Sequence, residues 1–289
     1  MVRLSKMSNE NFIRPPAVAG LFYPADRNVL KRTVEDLLAA ASNVTMDEKQ
    51  SNIIALICPH AGYQYSGQTA GYAYASVRNK SFETVVIVSP SHREYFDGIS
   101  VFSGNGYSTP LGTVSIDTDL RDALCNSGKG LVETSRNGHR SEHAIEVQLP
   151  FLQIAIGEFK LLPIVMGDQK SQYCFSLGQL LADVLKNTNS LIVASSDLSH
   201  YHDYQSANEL DAICRDDIVR GSADDLMRDI ESGNCEACGA GPIAAVMVAS
   251  KLLGAYEWKV LHHCNSGDTG GDKFSVVGYL AAIARGKNK

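Results

Sequence analysis

Three apolar runs in this chain each end in a short polar tip that carries a histidine. The first, Asn52–Cys58, leads into Pro59-His60-Ala61-Gly62-Tyr63. The second, Thr84–Ser89, leads into Pro90-Ser91-His92, and the third, Ser190–Ser195, into Ser196-Asp197-Leu198-Ser199-His200. Short runs rich in Val and Ile, closed by Pro, Gly or Ser, read as buried strands of a parallel sheet. Ligands bind outside the carboxyl ends of such strands. If the three runs lie side by side, His60, His92, Asp197 and His200 converge on one edge of the sheet. That is how a metal site or an acid–base centre is assembled from residues far apart in sequence.

The rest of the chain supports an α/β reading. Asp26 is placed to cap a helix over Arg27–Ala41, whose apolar positions Val29, Leu30, Val34, Leu37 and Leu38 fall on one face. Helical stretches also follow at Gln68–Ser76, Asp117–Asn126, Ser171–Lys186, Tyr204–Arg220, Ala223–Glu231 and Gly239–Leu253. Strands are expected at Gly98–Phe102, Lys160–Met166, Trp258–Cys264 and Phe274–Ala282. Helices alternating with strands predict α/β architecture, a mostly parallel central sheet flanked by helices. No composition break marks a linker in the 289 residues, so one domain is expected over 12–285, preceded by a flexible, mostly polar segment, 1–11.

Composition excludes several functions. A net charge of −6 without a Lys/Arg block gives no electrostatic footprint for nucleic acid. No apolar stretch is long enough for a membrane span. The first ten residues lack the apolar core of a signal peptide, so a cytoplasmic location is expected. The seven cysteines are odd in number and irregular in spacing, which favours free thiols over a disulfide framework.

Several residue types could carry chemistry. His60 sits between Pro59 and Gly62 in a tight turn, and His92 follows Ser-Pro-Ser. Each alone reads as a loop histidine bonded to backbone; two at strand ends point to metal ligation or general base work. Asp197 and His200 are either a helix cap and its neighbour or a catalytic pair. Ser195 and Ser196 lack the G-x-S-x-G elbow of a serine hydrolase. Glu142–Leu152 reads as one amphipathic helix kinked at Pro150, which would put His143 and Glu146 on the same face, as supporting residues behind a ligand. Cys238, in Cys-Gly-Ala-Gly-Pro-Ile, precedes an apolar helix whose N-terminus should favour the thiolate. Cys235 of the same C-x-x-C has no such setting, and His262-His263 reads as packing within a strand. The glycine-rich Asn265–Asp272 reads as a flexible rim or lid.

Taken in order, Pro59-His-Ala-Gly-Tyr-Gln-Tyr-Ser-Gly67, Ser89-Pro-Ser-His92, Glu142-His-Ala-Ile-Glu-Val-Gln-Leu-Pro150, Ser195-Ser-Asp-Leu-Ser-His200 and Cys238-Gly-Ala-Gly-Pro-Ile243 resemble the motif series of the Memo family, which includes protein B of the AmmeMemoRadiSam system. The resemblance spans nearly the whole chain, including Ala19-Gly-Leu-Phe-Tyr23. It implies a fold similar to class III extradiol dioxygenases. It also implies a copper- or iron-binding site of two histidines and a cysteine with an aspartate nearby, which here are His60, His92, Cys238 and Asp197. Other proteins of the AmmeMemoRadiSam system are the partners it implies. The thiolate departs from the two-histidine, one-carboxylate set of the dioxygenases and favours Cu(I) or zinc more than a carboxylate would.

Three readings follow for function. One is a metal-dependent redox enzyme with an unknown small-molecule substrate. Another is a metal-binding scaffold that recruits partners without catalysis. The third is a zinc-dependent hydrolase with Asp197 or His200 as base.

Overall fold

The computed structural model describes residues 12–42 and 51–287. The expected flexible segment 1–11 lies outside the described residues. In chain order the elements are β1 (Ile13–Arg14), α1 (Arg27–Ala41), β2 (Asn52–Cys58), α2 (Tyr63–Ser76), β3 (Thr84–Pro90), β4 (Ile99–Phe102), β5 (Gly106–Thr109), β6 (Gly112–Ser115), α3 (Thr118–Ser127) and β7 (Val132–Ser135). A single 3-10 turn (Glu146–Gln148) then leads into α4 (Leu149–Ala155). The remainder is β8 (Lys160–Met166), α5 (Ser171–Leu185), β9 (Ser190–Ser195), β10 (His200–His202), α6 (Tyr204–Arg220), α7 (Ala223–Glu231), α8 (Ala240–Leu252), β11 (Ala255–Asn265) and β12 (Val276–Gly286).

Among the described residues nine strands form one large sheet in the order β10-β12-β2-β9-β3-β8-β4-β7, with β11 also paired to β12. The pairings β2–β9, β9–β3 and β3–β8 are parallel, as the apolar runs predict. β12 and β4 flank this parallel centre antiparallel to β2 and β8, so the sheet is mixed at its margins. The three histidine-tipped runs are β2, β9 and β3, and they are immediate neighbours. Their tips leave the sheet at one edge.

Burial follows the two-residue period of a strand. Ala55, Ile57, Val86, Val88, Ile192 and Ala194 pack on one face with residues of α5, α6, α7 and α8. Leu56, Cys58, Val85, Ile87, Leu191 and Val193 pack on the other with α1, α2 and α4. Helices on both faces explain why these strands are apolar throughout rather than alternating. The capping aspartate of α1 behaves as expected: its side chain accepts from Asn28 N and Val29 N, both at 2.9 Å, which stabilises the helix by about 1 kcal/mol. No helix among the described residues is long and apolar enough to cross a membrane.

The segment after β7 departs from the sequence reading. Residues 142–143 have no regular structure, 144–145 form a turn, and regular α-helix begins only at Leu149, with Pro150 in its first turn. Proline there loses no hydrogen bond and causes no kink. The helix α2 also starts earlier than expected, at Tyr63, so the His60 tip is a very short loop.

Candidate metal centre

The Nε2 or Nδ1 of His60, the same of His92 and the Sγ of Cys238 lie within 4.8 Å of one another. His60 follows β2, His92 follows β3, and Cys238 lies two residues ahead of α8. α8 reaches the end of β9 because residue 239 is glycine: a methyl there would overlap the Ser195 carbonyl and the Ser196 side chain. Gly239 N donates to Ser196 Oγ at 2.9 Å, and Cys238 N to Asp197 O at 3.2 Å.

Hydrogen bonds fix the tautomer of both histidines. Tyr74 OH donates to Gln148 Oε1 at 2.7 Å, which turns the Gln148 amide nitrogen toward Pro59 O and Ser195 Oγ. Ser195 in turn donates its own proton to Ala144 O at 2.7 Å. Ser195 Oγ can therefore only accept from His60 Nδ1, 2.9 Å away, so that nitrogen is N–H. The lone pair of His60 is left on Nε2, which lies 3.1 Å from Cys238 Sγ. For His92, Glu142 accepts from Nδ1 at 2.9 Å and from the backbone N–H at 2.6 Å. This leaves Nε2 of His92 as its free donor atom. A carboxylate behind a ligand imidazole is the usual outer support of a metal site.

The surroundings set the charges. Burial pulls the His60 imidazole down to about 3. Burial alone would push the Glu142 carboxyl up, but its hydrogen bonds and charge pairing with His92 and His143 hold it at about 2. Burial and the charge of Asp197 push the Cys238 thiol up. This corrects the expectation of a thiolate favoured by the helix start: desolvation outweighs the helix terminus. The thiol proton faces the Nε2 lone pair of His60. Two imidazole lone pairs and one thiol fit a transition-metal ion, which would take the place of that proton.

The remaining candidates are placed as follows. Asp197 Oδ1 accepts from His60 N at 2.7 Å, and Oδ2 lies 3.9 Å from His60 Nε2. Burial raises the Asp197 carboxyl. His200 donates from Nδ1 to Leu198 O at 2.8 Å, leaving Nε2 as acceptor. His143 packs edge-on to His60 and stacked on His92. Its Nδ1 lies 3.2 Å from Glu142 Oε1. Asp197, His200 and His143 line, together with His60 and His92, one cavity of about 540 Å³. Gly271 and Asp272 of the glycine-rich loop also line it, so that loop forms part of the rim.

Glu146 stands apart. Its carboxylate accepts from Arg14 Nη1 at 2.6 Å, Ala17 N at 2.7 Å, Val18 N at 3.0 Å and Tyr23 OH at 2.7 Å. It anchors the first described segment rather than a ligand histidine. The same-face expectation fails because 142–145 are not helical. Glu142, Ser195 and Gln148 take the supporting roles; nothing in the sequence marks any of the three as a support behind a ligand. Glu142→Gln should lower metal affinity by about 10–100-fold, the usual cost of losing such a support. A titration with Zn(II) against a chromophoric chelator checks it; unchanged affinity would remove Glu142 from the centre.

The geometry defines an α/β protein with a histidine–histidine–cysteine group that could hold a metal, set at the carboxyl edge of its sheet. Comparison with known proteins gives the family: the profile of the Memo-like protein family matches residues 14–283, and the chain belongs to that family. A MEMO1 family protein of Methanosarcina mazei is 39% identical over 278 residues, covering 94% of this chain and 98% of the relative. A MEMO1 family protein of Methanocaldococcus jannaschii is 38% identical over 286 residues, with 94% and 99% covered. The crystal structure of JW3007, an uncharacterized protein of Escherichia coli K12, superposes with a TM-score of 0.53 at 13% identity. It covers 80% of this chain and 99% of that one, a likeness of fold.

Proposed function

We propose that the chain is a metal-dependent oxidoreductase in which His60, His92 and Cys238 hold one copper or iron ion beside a small-molecule substrate. The observation that carries this is the convergence of three donor atoms within 4.8 Å, the His60 lone pair being left on its Nε2, toward Cys238 Sγ. The adjoining cavity of about 540 Å³ is within the usual range for a small-molecule site. A soft thiolate suits Cu(I) and tunes iron, whereas a hydrolase gains little from it over a third histidine or a carboxylate. When bound, the ion supplies electron transfer or oxygen chemistry.

The chain's own residues supply the rest. Glu142 and the Ser195–Gln148 pair orient the imidazoles. Asp197, on the cavity wall, holds or releases a proton at its carboxylate, and His200 accepts or donates one at Nε2. The test is to reconstitute metal-free protein separately with copper, iron and zinc. Oxygen consumption and superoxide reduction are then followed beside a panel of ester, amide and phosphate substrates. Redox turnover with copper or iron, lost in Asp197→Asn, is expected. Hydrolysis with zinc and no redox turnover with either other metal would overturn the proposal.

A further inference from the structure

We infer that Tyr201 is a ligand-contacting residue that sets specificity, and that the cavity over the centre takes a small molecule with an apolar body and, when metal-free, disfavours an anion. The inference rests on reading that cavity as the substrate site. It starts from the backbone. β10 pairs antiparallel with β12 through His200↔Val277 and His202↔Val276, so Tyr201 is the extra residue of a β-bulge. Its φ is +64°, in the left-handed region where glycine is the usual occupant of such a bulge. A bulky side chain there is a costly choice. Bulges beside functional sites serve to re-aim a side chain.

The neighbours hold this geometry on both sides. His200 donates to Leu198 O at 2.8 Å, and His202 Nε2 lies 3.0 Å from both oxygens of the Glu236 carboxylate. The result is a tyrosine, 76% exposed, on the cavity wall. Leu21, also 76% exposed, and Tyr65, 39% exposed, line the same cavity. Three exposed apolar side chains around one opening form a contact surface for an apolar body.

Charge narrows the ligand further. No Lys or Arg lines the cavity among the described residues; its acidic side chains are Asp197 and Asp272. Without a metal ion at His60 and His92, an anionic ligand would find no Lys or Arg side chain to pair with and would face Asp272.

The test uses three probes of one skeleton: 2-phenylethylamine, 2-phenylethanol and phenylacetate, positive, neutral and negative at neutral pH. Binding is measured by calorimetry on the protein as purified and after removal of metal by chelator. The amine and the alcohol should bind in both forms; phenylacetate should bind at least about tenfold more weakly in the metal-free form, because a bound cation would attract its carboxylate. Tyr201→Gly, which deletes the ring and accommodates the positive φ, should weaken 2-phenylethanol at least about tenfold without lowering the melting temperature or metal content. Tyr201→Phe should keep the affinity.

Phenylacetate binding to the metal-free protein as tightly as the alcohol, or no binding of any probe, overturns the inference. So does unchanged affinity in Tyr201→Gly; a lower melting temperature in that variant with affinity intact would make Tyr201 structural. The metal-free arm separates this inference from the metal reading. If the protein proves to bind no metal, the order of probe affinities still stands or falls by itself.

Discussion

Cys238→Ser will abolish stoichiometric metal binding and leave the fold intact. Its Sγ lies at the point where the group closes, 3.1 Å from His60 Nε2 and 3.3 Å from Asp197 N–H. A serine hydroxyl fills nearly the same space but is a harder donor that keeps its proton at neutral pH. The loss should exceed the roughly 10–100-fold that removal of an outer support costs, because a ligand itself is gone. Elemental analysis of anaerobically purified wild type and variant measures it, with thermal melts in chelator to show that the apo-proteins are equally stable. Equal metal content in the two would remove Cys238 from the ligand set and the proposed function with it.

Arg14→Met will cost about 3–5 kcal/mol of stability, the usual result of breaking a buried ion pair by removing one partner. Arg14 and Glu146 are both almost fully buried. The guanidinium donates to Glu146 Oε2 at 2.6 Å, to His139 O at 2.5 Å and to the Glu142 carbonyl, and lies over the Tyr107 ring. Methionine would fill the space and leave the Glu146 carboxylate without a cation. Urea denaturation of the chelator-treated proteins checks the figure; a loss under about 1 kcal/mol would reduce the pair to the level of a surface ion pair. Because Arg14 also holds the Glu142 carbonyl, the variant should lose metal affinity as well.

Much of this architecture was legible in the chain. Apolar runs such as Thr84–Ser89, short, rich in Val and Ile and closed by Pro90, read as strands buried on both faces, and α1 was readable from Asp26 and its four-residue apolar spacing. The strand-end histidines His60 and His92 could be picked out for the same reason: a polar tip after a buried run has to face solvent or a site. What was not legible depends on contacts between distant segments. Arg14 and Glu146 are 132 positions apart, and nothing local to either announces the other. Glu142 escaped because helical spacing favoured Glu146. In the fold, Glu142 Oε1 accepts from His143 N at 2.9 Å and Ala144 N at 3.0 Å, which ties 142–145 into a turn and withholds helical periodicity from it. Ser195 and Gln148 look like ordinary polar residues until the Ala144 carbonyl and Tyr74 hydroxyl fix which way each can donate.

That turn has a thermodynamic consequence. One stretch, 142–148, grips His92 through Glu142 and constrains His60 through Ala144, Ser195 and Gln148. Both rings are thus held in place by hydrogen bonds before any ion arrives. The rotamer entropy of placing them, about 0.5–1.5 kcal/mol for each immobilised side chain, is lost at folding rather than at binding. A centre prepared in this way captures its ion with little conformational cost. It also has little freedom to reshape itself around an ion that prefers another arrangement, so selectivity is built into the rigidity of the protein as much as into the chemistry of its donors.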